Sequence, residues 1–288
     1  MIRRQAHACQ NESRNLVIAN CDAGLCCAGS SPAAAQDQTT GAAPPPNVLV
    51  IEREFLKPGK AGTVHEKSES AFMQAMSQAN SSEHYIAMNS LSGRSRALFF
   101  LGYDSFADWE KDNDAMQKSP TFASAFDQAQ EADGKLLQSF DTGVFVYQPD
   151  KSVGAPINIG AFKYLEITLI TIRPGHGEEW DELAKLHDSI FSSAPHAGWA
   201  MYERWFGDGS GDEYIALHAM RSFAEMDESR AADKKIWASV SADQKKKMGD
   251  LESSCFESIQ TNLFAFSPKM SYVSDKWRKA DPDFWGPK

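Results

Sequence analysis

The chain has 288 residues, with 29 Lys and Arg against 39 Asp and Glu, for a formal charge of −10. Its 42% hydrophobic and 11% aromatic content can build a buried core, which excludes a disordered chain. The acid excess argues against a surface that tracks nucleic-acid phosphates, and no run of about 18 apolar residues exists to span a bilayer.

Residues 1–46 are neutral, with Arg3, Arg4 and Arg14 balancing Glu12, Asp22 and Asp37. Four of the five cysteines (Cys9, Cys21, Cys26 and Cys27) lie here, and only Cys255 follows. Their spacing matches no common zinc pattern, so neither a metal site nor a disulfide framework is expected. Arg3 and Arg4, the apolar stretch 16–19 and Ala33-Ala34-Ala35 before Gln36 follow the order of an export signal, which predicts cleavage after Ala35 and a secreted or periplasmic protein. Asn20 and Asp22 interrupt the apolar part, and the alternative is a disordered extension or misassigned start on a cytoplasmic protein. Residues 36–46 read as a Pro-ended linker, so folding begins at Asn47.

The remainder repeats itself. Leu56-Lys57-Pro58-Gly59 ends one strand-like run and Ile172-Arg173-Pro174-Gly175 ends another, the two prolines lying 116 residues apart. Ser105-Phe106-Ala107-Asp108 recurs as Ser222-Phe223-Ala224-Glu225 after 117 residues, and the stretch at 145–149 recurs at 264–268 after 119. Three landmarks in one order with so little drift imply two related units, 47–150 and 161–270, joined by a linker at 151–160 and followed by a tail at 271–288. Each unit carries a charge of −6.

Within each unit the pattern predicts the same elements. A first strand is followed by an amphipathic helix through Phe72 and Met76, or Trp180 and Leu183. Hairpins follow at 84–91 with 96–103 and at 198–206 with 213–220. Ser105 and Ser222 then cap helices that break at Ser119-Pro120 and at Ser241, and a last strand closes each unit at 143–147 or 261–266. This βαββ(αα)β order predicts an α+β fold of two tandem ferredoxin-like units, strand order 4-1-3-2, packed sheet to sheet.

On these marks, residues 47–270 resemble the dimeric α+β barrel superfamily, its NIPSNAP-like and antibiotic-biosynthesis-monooxygenase-like branch. The resemblance implies an intramolecular barrel, acting as a monomer with an internal pseudo-dimer or as a homodimer, with ligands held between sheet and helices. Members include cofactor-independent oxygenases, haem degraders, decarboxylases and proteins without known activity, so the resemblance selects no reaction.

The best chemical constellation lies in the second unit. Alternation puts Tyr164, Glu166 and Thr168 opposite the apolar Leu165, Ile167 and Leu169, and Tyr214 and His218 on one face of the third strand. In 4-1-3-2 order these strands are neighbours. Glu166 and His218 are therefore the catalytic candidates, a carboxylate orienting an imidazole base, with a satisfied structural pair as the competing reading. Tyr164, His187, Trp205 and Tyr214 are the substrate-binding candidates. His187 lies on an apolar helical stripe; haem-degrading relatives place an iron ligand on a helix, and a core-edge histidine is the alternative. The aligned positions of unit one are Val50 and Leu101, and its own charges, Glu52 and Glu54, await partners such as Arg94 or Arg96. His65, His84, His176 and His196 sit at element ends, where capping or exposure is the default. No metal, cofactor or membrane span is expected, and Gly207 to Gly211 joins two strands, which is the wrong context for a phosphate cradle. Two functions stay open: a small-molecule binder or cofactor-independent oxygenase or isomerase, or a non-enzymatic stress or interaction module.

Overall fold

The computed structural model describes residues 43–154, 157–192, 198–209 and 211–286. The expected export signal, most of the linker after it, four of the cysteines and His196 lie outside these residues. Eight strands form one closed antiparallel barrel in the order β1-β3-β2-β8-β5-β7-β6-β4. The first half contributes β1 (Val48–Leu56), β2 (Tyr85–Ser90), β3 (Arg96–Tyr103) and β4 (Leu137–Tyr147). The second contributes β5 (Tyr164–Ile172), β6 (Ala200–Phe206), β7 (Asp212–Met220) and β8 (Phe256–Phe266). Read within a half, neighbours run β4-β1-β3-β2 and β8-β5-β7-β6, the order expected from the sequence.

The two sheets meet edge to edge as well as face to face. Met88, Asn89 and Ser90 pair with Phe266, Ala265 and Phe264 at one seam, and β4 pairs with β6 at the other. Sheet-to-sheet packing alone would have left four strand edges with unpaired N–H and C=O groups, and closing the barrel satisfies them. Strand alternation then divides each strand between two environments. Leu49, Ile51, Leu98, Phe100, Leu165, Ile167, Ile215 and Phe264 fill the barrel interior. Burying each such side chain contributes about 1.5–3 kcal/mol.

Helices cover the outside. In the first half these are α1 (Thr63–Gln78), α2 (Phe106–Gln117) and α3 (Pro120–Asp133), and in the second α4 (Gly177–Phe191), α5 (Phe223–Ser239) and α6 (Ala242–Cys255). Their starts follow local chemistry. Ser105 accepts from the Asp108 amide, Ser222 from the Glu225 amide and Ser119 from the Phe122 amide with Pro120 in the first turn. Ser241 and Gln244 form a reciprocal capping box. Strands β4 and β8 start earlier than expected, at Leu137 and Phe256, because their exposed polar beginnings still pair with the ends of β1 and β5. The tail adds α7 (Asp275–Ala280) and α8 (Pro282–Trp285). Trp285 is buried against Phe266 and Trp277, and its Nε1 donates to the Gly160 carbonyl at 2.6 Å. No helix among the described residues is long and apolar enough to cross a membrane.

Candidate functional site

Each half has a cavity between its sheet and its helices, and the two differ in size and lining. The second-half cavity, about 300 Å³, is lined by Glu166, Thr168, His187, Trp199, His218 and Asp233 among others. Glu166 stands directly opposite His218 in the β5–β7 register, on the two strands expected to be neighbours. No hydrogen bond joins the two side chains among the described residues. Asp233 on α5 also lines the cavity; burial raises its pKa and the nearby His218 opposes that rise. His187 on α4 contributes to the same cavity, with Nε2 3.8 Å from Glu252 Oε1 and without a hydrogen bond. Its ring meets Phe191 and Trp199 edge-on.

Three of the six expected site residues lie away from this space. Tyr164, at the start of β5, stacks on Phe223 with ring centroids 4.4 Å apart, beyond the cavity. Tyr214 is buried beneath Trp180, and its hydroxyl donates to Glu203 Oε1 at 3.4 Å. Trp205 shares a strand face with Trp199 and Met201, but by the end of β6 that face has left the second-half cavity. Its side chain is 53% exposed and stacks on Phe106 of the first half. Sequence alternation specifies the face of a strand and not which stretch of that face a cavity spans.

The first-half cavity is larger, about 660 Å³. Phe72, Met76, Phe99, Leu101, Trp109, Phe122 and Phe126 supply apolar wall, and Glu52, Glu54, Glu69, Glu83, Tyr85, Tyr103 and Asp133 supply the polar groups. Glu52 and Glu54 reach it because Leu49 and Ile51 face the barrel, which turns Val50, Glu52 and Glu54 outward under the helices. The expected partners Arg94 and Arg96 are elsewhere, over the ring of Phe55. Burial, reinforced by Glu54 and Glu83, pushes Glu52 up to about 7. At the far side Tyr103 donates its hydroxyl to Glu83 Oε1, and burial raises the pKa of both groups.

At one end of this cavity four ionisable side chains converge. His65 and Glu69 lie one turn apart on the buried face of α1, Asp133 is the last residue of α3, and Glu54 is on β1. His65 Nε2 is 2.8 Å from Glu54 Oε2, 3.4 Å from Glu69 Oε1 and 3.6 Å from Asp133 Oδ1. Exposure is 0% for His65, 2% for Glu69, 2% for Asp133 and 7% for Glu54. No N–H group donates to Glu69 Oε1 or to either Asp133 carboxyl oxygen, and His65 Nδ1 has no hydrogen-bond partner, while Glu69 and Asp133 hydrogen-bond to each other. Burial, then the neighbouring carboxyls of Glu54 and Asp133, pushes Glu69 up to about 10, and burial also raises Glu54 against the pull of His65. His65 is therefore not the capping or exposed histidine expected at an element end; it is the centre of the most buried polar group in the described chain. One sequence signal was present, the His65–Glu69 spacing of four on an apolar helix face, which aligns two side chains on adjacent turns.

No protein-family model matches the chain, and no curated protein matches it. Among solved structures, the fold is similar to an anthrone oxidase-like protein at 13% identity and a TM-score of 0.49, covering 76% of this chain and 91% of that one. It is also similar to a mutant chlorite dismutase from Candidatus Nitrospira defluvii at 12% identity and a TM-score of 0.45, covering 82% and 96%. These likenesses assign no residue, ligand or reaction to this chain.

Proposed function

We propose that the protein binds a largely apolar organic molecule in the helix–sheet cavity of the first half. The observation that carries this reading is the cavity itself: its 660 Å³ lies within the range of ligand pockets, and its wall combines aromatic and aliphatic side chains with convergent carboxyls and phenols. The Tyr103–Glu83 pair and the Glu52 carboxyl are the groups that would orient a hydroxyl or carbonyl. If the bound molecule is turned over, the carboxyls and phenols of the lining supply proton transfer, which serves an isomerase directly and a cofactor-independent oxygenase with dioxygen as its co-substrate and oxidant. The repeated 4-1-3-2 strand order supports reading the two halves as ferredoxin-like copies, with the barrel of one chain serving as its own pseudo-dimer.

A second reading keeps the site in the second half, with Glu166 and His218 as an acid–base pair and His187 nearby. Their direct cross-strand register and shared 300 Å³ cavity favour it. Under either reading a ligand stabilises the folded chain through its binding free energy. A thermal-shift screen on the full chain separates them with Ala123→Trp, which fills the first cavity, and Ala216→Trp, which fills the second. The proposal expects a hit whose stabilisation is lost in Ala123→Trp and kept in Ala216→Trp. The reverse pattern would move the site to Glu166 and His218, and a hit indifferent to both substitutions would place it in neither cavity.

A further inference from the structure

From the convergence of Glu54, His65, Glu69 and Asp133 we infer that the first half binds one divalent first-row transition ion at the end of its cavity. Three features on three elements carry the inference. The donor set is one imidazole and three carboxylates, with all four ligand atoms within 4.8 Å of one another. Around an ion with bonds of about 2.0–2.2 Å, ligand atoms lie roughly 3–4 Å apart, so the observed 2.8, 3.4 and 3.6 Å separations from His65 Nε2 need only small adjustments. The second feature is unmet demand: no N–H group donates to either oxygen of Asp133, 2% exposed, or to Glu69 Oε1, and the hydrogen bond between these two carboxyls stays inside the cluster. Buried carboxyls almost always find a donor or a cation, and among the described residues no Lys or Arg is paired with any of these three. The third is access, because Glu54, Glu69 and Asp133 all line the cavity and an ion can enter through it.

The donors also narrow the ion. Carboxylates suit Mg²⁺, Ca²⁺ and Mn²⁺, whereas imidazole suits Zn²⁺, Fe²⁺ and Ni²⁺, so a mixed site of this kind favours Mn²⁺, Fe²⁺ or Zn²⁺ over the all-oxygen cations. The site does not depend on the organic-ligand reading; it would stand if no organic molecule bound.

The test uses the full chain, stripped with chelator and titrated with Mn²⁺, which disfavours the thiolates near the N-terminus that would confuse a zinc titration. Electron paramagnetic resonance is expected to show one bound Mn²⁺ per chain with an imidazole-nitrogen coupling, and thermal unfolding to shift upward with Mn²⁺. Affinity should fall by about 100-fold or more in Glu69→Gln and Asp133→Asn and stay unchanged in His218→Ala. Co²⁺ offers an independent readout, with weak visible bands and no thiolate charge transfer. Absence of saturable Mn²⁺ binding to the wild type would overturn the inference. So would equal affinity in both carboxyl variants, or a Co²⁺ spectrum dominated by thiolate. Should those variants fail to fold, the nitrogen coupling and the Co²⁺ spectrum of the wild type still decide the matter.

Discussion

The two halves share one strand order and one helix arrangement, yet they spend the space between sheet and helices differently. In the second half Ile170, Trp180, Leu183, Met248, Leu251 and Cys255 close most of it with an apolar cluster, leaving about 300 Å³. In the first half that layer holds Glu54, His65, Glu69 and Asp133 beside a cavity of about 660 Å³. Ile170 lies 116 residues after Glu54, the separation of the two Pro-Gly turns, and the register pair Val50–Leu101 of β1 and β3 has Glu166–His218 as its counterpart in β5 and β7. One fold therefore accommodates a packed layer and an ionisable layer. The ionisable one is the costlier, because each buried carboxyl gives up its hydration.

That difference can be broken by substitution. In chelated protein, His65→Leu leaves Glu54 buried without its partner and should destabilise by about 3–5 kcal/mol in urea unfolding. Leu183→Ala, at a fully buried position of the packed half, should cost about 2–5 kcal/mol by cavity creation. The opposite sign is expected when the first half is given the character of the second. Replacing Glu54 by Ile together with His65, Glu69 and Asp133 by Leu should stabilise the chelated protein by about 1–4 kcal/mol while abolishing Mn²⁺ binding. Loss of stability in that variant would show that the cluster holds the fold together.

A smaller effect is set by pH. Burial holds the Glu83 carboxyl above its ordinary value of 4.5, with the Tyr103 hydrogen bond opposing. The folded chain thus binds this proton more tightly than the unfolded one, and the associated stability, full below the unfolded pKa, is lost as pH rises through the folded value. Glu83→Gln should flatten the stability–pH curve above 4.5, and an unchanged slope would remove Glu83 from the account. The smallest expected effect belongs to Glu166→Gln and His218→Ala, each within about 1 kcal/mol of wild type, since these partly exposed groups share no hydrogen bond.

Much of the frame was legible in the sequence because it is local. Alternation in residues 164–172, serine caps at Ser105 and Ser222, and the Pro-Gly turns each specify an element within a few residues, and the βαββ(αα)β order of elements predicts the order of the strands. The placement of Glu166 and His218 on one face of neighbouring strands follows from those rules. What was not legible depends on distance along helices and on contacts across the chain. Trp205 lies beyond the second-half cavity, where it meets Phe106 at the start of α2. Asp133 reaches His65 from a helix 68 positions later, and Glu54 reaches it from β1, so only His65–Glu69 left a local trace.

The most direct test is peptide-resolved hydrogen exchange on the chelated full chain with and without Mn²⁺, since protection reports local opening. Added protection confined to the segments of β1, α1 and the end of α3, with the second half unchanged, is the predicted result. Protection appearing in α4 to α6 instead, or nowhere, would contradict the assignment of the working site to the first half.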